Sequence, residues 1–228
     1  MTKSKKEKQK FRQRERFHAE TAGELSTTCS EQDETSDVGH RPSYHFFWNG
    51  GSPFSQWRMS RYHLDGFSYI CAEQGMMHGK ALLFDDQEAA QAIMGSNCPR
   101  RMKALGQQVK GFKQKIWNGH KENIVYRNSI AKFTQNKELR KALLGTTGAL
   151  VEASPSDKIW GIGLHENDAR LIPESQWPGS NLLGKILTRV RDELQSGMHA
   201  DLIDDEQETE ISKDCDEKPA STPSKIEE

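Results

Sequence analysis

Glu73, Met76, Met77, Lys80 and Phe84 fall at offsets of three, four, seven and eleven. On a helix that spacing puts a carboxylate and an amine two turns apart on a face otherwise built of apolar side chains. A charged pair on the apolar side of a helix demands explanation. The plainer account is an ion pair at the edge of the face, worth well under about 1 kcal/mol. A second stretch, LVEASPSDKIWGIG from Leu150 to Gly163, sets Glu152, Asp157 and Trp160 in an apolar frame with Gly161 and Gly163 behind them. It reads as two short strands and a turn, an unusual place for two carboxylates and an indole in so polar a chain.

Other chemistries lack their residues. The eight histidines and four cysteines form no HExxH, no CxxC and no Cys/His pair at metal spacing, so neither a metal nor a cofactor is expected. GTTGAL at Gly145 to Leu150 lacks the Lys-Ser/Thr of a phosphate loop, and GIGLHE holds only the first part of a dinucleotide fingerprint. No repeat of fixed period is evident. Cys29, Cys71, Cys98 and Cys215 lie far apart, and no signal peptide or membrane-length apolar run is present. A reduced, soluble, intracellular protein is expected, cytoplasmic or nuclear, a monomer without a membrane partner.

The elements that must position these residues occupy only part of the chain. With 228 residues, 34% of them hydrophobic, and a mean hydropathy of -0.84, the sequence is too polar to fold throughout. Its start, MTKSKKEKQKFRQRER, is basic, and its end, from Asp201, is mostly acidic with Ser and Pro. The net charge of -1 therefore cancels two opposite tails. Disordered tails are expected over 1–42 and 200–228, around one folded domain at 43–199. The basic run reads first as a solvated tail, and second as a nuclear address or nucleic-acid-binding arm.

Within the body, YHFFW (Tyr44 to Trp48) reads as a strand entering the turn cluster NGGSP. GFSYICAEQGMMHGKALLF starts strand-like at Phe67 to Tyr69 and turns helical near Cys71. Helical patterns follow in DDQEAAQAIM, CPRRMKALG, GFKQKIW, ENIVYRNSIAKFTQ and KELRKALLGT, then the runs ALVEAS and IWGIG, and a last amphipathic helix in NLLGKILTRVRDELQS. The fold class is α+β, a predominantly helical single domain with a few short strands.

The ordered series NGGSPFSQW, AEQGMMHGKALLFDD, LGQQVKGF, Trp117, AKFTQN, LLGTTGALVEASPSDKIWGIG and NLLGKILTRVRDEL resembles the NADAR (YbiA-like) domain over nearly the whole body, the tails excluded. The resemblance implies N-glycosidase chemistry, hydrolysis of a bond between ribose C1 and the exocyclic amine of a base. Family substrates are phosphoribosylaminopyrimidines of the riboflavin pathway, or ADP-ribose attached to guanine in nucleic acid. By position, Glu73 matches the family's helix carboxylate, able to stabilise charge at C1 or deprotonate water. Lys80 and Lys132 match family lysines that would protonate a leaving nitrogen, bind phosphate or form a Schiff base with an opened ribose. Asp157, Trp160 and Gly161 would line the sugar–base cleft, facing ribose hydroxyls, a ring or sugar face, and a closely approaching backbone. Asn49, Ser55, Trp117 and Asn181 complete the expected binding set.

Plainer readings stand beside these. Trp117 and Trp160 suit a core, Asn49 a turn, Asn181 a helix N-cap, and Glu152 a structural carboxylate. In one departure, Gly106-Gln107 stands where the family commonly has Gly-Arg, so a phosphate contact there needs Arg100, Arg101 or Lys103 instead. The basic start and the lack of a fused riboflavin-pathway domain incline the expectation to ADP-ribosylated guanine in nucleic acid. The alternatives are the riboflavin intermediates and, in another class, a non-catalytic ADP-ribose or nucleotide binding module.

Overall fold

In the computed structural model residues 43–203 are described; the expected tails at 1–42 and beyond 203 lie outside the described residues. Asp65 and Gly66, at φ 53° and 84°, turn β2 (Met59–Leu64) back onto β3 (Phe67–Cys71) as an antiparallel hairpin. Two successive left-handed residues match the twist of paired strands, and Asp-Gly adopts them at low cost. β3 runs straight into α1 (Ala72–Leu83), which places Glu73 in the first helical turn.

α1 is the centre of the domain. α2 (Gln87–Met94), α3 (Pro99–Gln107) and α4 (Gln114–Thr134) all pack against it. A Cβ on Gly75 would collide with the Asn128 amide and the Tyr62 hydroxyl, and one on Gly106 with the Met77 side chain. Side chains of α4 and β2 thus press directly on the α1 backbone at Gly75, and a side chain of α1 on the α3 backbone at Gly106. α5 (Lys137–Leu144) leads to β4 (Ala149–Glu152), which pairs in parallel with β1 (Tyr44–Phe47), Phe47 opposite Glu152. The chain leaving β1 and the end of β4 thus emerge side by side. α6 (Glu166–Ala169) is a single turn, and α7 (Leu182–Gln195) packs over β4 and α4. Val125, Phe133, Leu143, Leu150 and Leu187 are fully buried between these layers, each worth about 1.5–3 kcal/mol of transfer free energy. The result is a predominantly helical α+β domain.

Four local expectations change. GFKQKIW and ENIVYRNSIAKFTQ are one helix of 21 residues, because a single interior glycine, Gly119, costs a helix only about 1 kcal/mol and does not end it. IWGIG is not a strand; Asp157 Oδ1 accepts from Ile159 N and Trp160 N, both at 2.8 Å, and curls the chain into a turn. Regular structure continues past His199 into a 3₁₀ turn at Ala200–Leu202, where His199 reaches Glu193 and Tyr126. Asn181 occupies the N-cap position of α7 without capping it.

Asn181 instead clamps β4. Held left-handed at φ 51° and buried, it accepts from Glu152 N and donates to Leu150 O, both at 3.0 Å. These bonds satisfy the strand edge facing α7. Asn181→Ala strands both backbone groups and is expected to cost about 1–3 kcal/mol, read as a lower urea midpoint at unchanged m-value.

Candidate active site

A cleft of about 730 Å³ opens where β1, β4, α1, α3 and α4 meet. Glu73, Met76, Met77 and Lys80 of α1 all line it, so the helix face seen in the sequence is the floor of a cavity. None of the ion pairs among the described residues joins Glu73 to Lys80. Lys80 Nζ donates instead to Gly106 O at 2.6 Å and lies 4.3 Å from the Phe112 ring centre and 5.6 Å from that of Trp117. Burial lowers its pKa.

Glu73 is 6% exposed. Burial lifts its carboxyl to about 7, Lys103 and a hydrogen bond from the Trp57 side chain pull the other way, and Asp157 adds to the lift. Its backbone N–H donates to Gln56 O at 2.9 Å. The loop before β2 therefore holds Glu73 by its main chain and its carboxylate. Glu152, at the end of β4, is likewise raised to about 7 by burial first and then by Asp157 and Glu73, against Lys103. Its Oε2 is fully shielded and has no hydrogen-bond partner; Gln56 Oε1 is in the same condition. Both residues line the cleft. A buried acceptor without a donor costs free energy, which adds to the cost of keeping the Glu152 carboxyl ionised.

Asp157, Trp160, Trp117, Asn49 and Ser55 also line the cleft. Asn49 is left-handed at φ 77°, its Oδ1 accepting from Gly51 N at 3.0 Å; Ser55 Oγ accepts from Trp57 N at 3.1 Å. Three expected residues stand elsewhere. Lys132, 1% exposed, lies behind the loop and donates to Pro53 O at 2.8 Å and Ser55 O at 2.9 Å. Its amine is pushed down to about 7 by burial. Both bonds go to main-chain carbonyls, and Lys132 is absent from the lining; its place is support for the loop that carries Ser55, Gln56 and Trp57. Gly161 packs against the β4–Asp157 segment, where a Cβ would fall 2.8 Å from Glu152 O. Asn181 clamps β4, as above.

Trp57, Gln56 and Lys103 are cleft residues that the sequence reading did not select for the site. Trp57 and Gln56 stand in the NGGSPFSQW stretch, and Lys103 is expected only as a substitute for the absent arginine. Of the three candidates for the missing Gly-Arg contact, Lys103 alone lines the cleft, beside Gln107. Among the described residues no group of three or more His, Cys, Asp or Glu side chains is placed to hold a metal ion. A buried and a partly buried carboxyl raised into the same range, aromatic walls and rim amines form a site suited to acid–base chemistry.

The NADAR domain pattern matches residues 44–195. Over 148 residues the chain is 47% identical to an N-glycosidase of Acanthamoeba polyphaga mimivirus, covering 62% of this chain and 87% of that protein. Over 144 residues it is 29% identical to N-glycosidase YbiA of Escherichia coli (strain K12), covering 63% and 79%. The NMR structure of the Escherichia coli protein YbiA shares the fold at a TM-score of 0.56 and 24% identity, over 69% of this chain and 88% of that one.

A carboxyl whose pKa is raised on folding works against the fold once ionised. Below about 4.5 Glu73 is protonated in both states; as pH rises through about 7 the unfolded chain binds fewer protons and stability falls. Glu73→Gln is therefore expected to match the native protein near pH 4, below the unfolded value, and to exceed it by about 1–3 kcal/mol at pH 8, in chemical melts at both pH values.

Proposed function

The chain belongs to the NADAR domain family and is an N-glycosidase, and from that premise we propose that it removes ADP-ribose from guanine in nucleic acid. The observation that carries the chemistry is Glu73, buried on the cleft floor at about 7 with a second raised carboxyl, Glu152, beside it in the same cavity. The extent of the cleft, about 730 Å³ with Lys80 and Lys103 on its lining, supports a substrate carrying a diphosphate and two sugars.

In this reading the ribose C1–N bond breaks with its electron pair going to nitrogen. Ionised Glu73 faces the positive charge at C1 and takes a proton from the water whose oxygen bonds to C1. Its charge keeps the neighbouring Glu152 neutral, and Glu152 gives its proton to the leaving amine. Sugar hydroxyl and free amine are the products, and solvent restores both carboxyls. Asp157 takes ribose hydroxyls, Trp117 and Trp160 take rings or sugar faces, and Lys103 takes the phosphate for which this chain lacks the arginine. Lys132 acts as a positioning residue through the loop.

The test is incubation of the purified protein with an ADP-ribosylated guanine oligonucleotide and, separately, with a phosphoribosylaminopyrimidine, products being read by mass spectrometry. Release of ADP-ribose from the oligonucleotide, with kcat lowered about 10²–10⁴-fold in Glu73→Ala, is expected. Release from the pyrimidine alone would make this a glycosidase of riboflavin intermediates; tight binding without turnover would make it a binding module. Borohydride added during turnover is expected to leave the protein mass unchanged, and an adduct on Lys80 would replace direct attack by water with a covalent route.

A further inference from the structure

From Pro99 to Lys121 the chain carries Arg100, Arg101, Lys103, Lys110, Lys113, Lys115 and Lys121 without a single aspartate or glutamate. Lys110 is matched by Glu88 of α2 at 2.7 Å, and Lys121 lies over Trp160. Arg100, Arg101, Lys103, Lys113 and Lys115 are exposed, and no ion pair among the described residues engages them. The same segment lines the cleft with Lys103, Gly106, Gln107, Gln114 and Trp117, so this cationic strip is the edge of the cleft itself.

The strip works against its own helices. Arg100 and Arg101 sit in the first turn of α3, and Lys113 and Lys115 at the start of α4; neither helix has an acidic residue in its first turn or a side-chain cap. Cations at helix ends where the peptide dipole is already positive are unfavourable in the free protein, and a polyanion alongside would relieve that repulsion. Phe112 and Ile116, about two-fifths exposed, interrupt the charges with apolar surface on which a base can rest. Phosphates of a single nucleotide within the cleft would meet Lys103 and Lys80. Arg100, Arg101, Lys113 and Lys115 lie outside that lining and would meet only further phosphates of a polymer.

We propose that the strip from Arg100 to Lys115 is a docking surface for the phosphodiester backbone of a single nucleic-acid strand, holding the strand while one base enters the cleft. This rests on the nucleic-acid reading of the site. A single strand fits because chemistry on a base requires it out of the stack, and backbone contacts position without reading sequence.

The test is fluorescence anisotropy of a labelled, unmodified single-stranded oligonucleotide with the full chain and with R100E/R101E/K113E/K115E; both share the basic N-terminal run, so it cancels. The wild type is expected to bind, with log affinity falling against log salt by about 0.7 per phosphate contacted, and the variant to bind at least about tenfold more weakly. Matching circular-dichroism melts establish that the variant folds, and its turnover of free ADP-ribosylguanosine should stay within about twofold of wild type. Equal affinities, or no binding by wild type at low salt, would overturn the docking surface. Strand binding lost in the variant, from a wild type that leaves an ADP-ribosylated guanine oligonucleotide uncleaved, would support the surface and overturn the substrate reading.

Discussion

Keeping a carboxylate out of water at the floor of the cleft is the constraint on which the rest depends. Glu73 lies at the junction of β3 and α1, with α2, α3 and α4 packed around its helix. Desolvation disfavours its charged form. The fold offsets only part of that cost, through the Trp57 hydrogen bond and the field of Lys103, while Asp157 adds to it. The residue is left poised near neutrality. A carboxylate ionised well below physiological pH would be a poorer base; one with no partners would stay protonated.

Poising Glu73 requires its neighbours to be rigid, and the loop before β2 is fixed by an equally buried lysine. Lys132 ties Pro53 and Ser55 from behind; Gln56 and Trp57 then hold Glu73 from the front. Two buried ionisable groups thus lie on opposite sides of one loop. On the far wall Asn181 pins β4 so that Glu152 projects at its end, and Asp157 curls the following chain so that Trp160 reaches the cleft.

Much of this was legible in the sequence, for definite reasons. The helical offsets of Glu73, Met76, Met77 and Lys80 marked a single face, and that face lines the cleft. Helical patterning with Pro and Gly punctuation found most helices within a residue or two, although Asp86, read into the helical run DDQEAAQAIM, proves to be the N-cap before Gln87. Other features escaped because tertiary bonds override local preference. Asn181 looks like a cap, and only the spatial neighbourhood of β4 redirects its amide. IWGIG looks like a strand, and a single Asp157 oxygen bends it. The β2 strand was missed although Asp65-Gly66 is a strong hairpin signal. Lys132 and Lys80 have the same residue type and the same family match, yet one faces carbonyls behind a loop and the other faces the cavity; sequence spacing carries no information on that difference.

The most direct measurement is the titration of Glu73 itself, by carbon-13 NMR of protein labelled at glutamate side-chain carboxyls, with Glu73→Gln to assign the signal. A midpoint near 7 is expected for the resonance lost in the variant. A midpoint at the ordinary glutamate value, about 4.3, would contradict it, because a carboxylate so easily ionised is neither buried at the floor of the cleft nor poised to act there as a base.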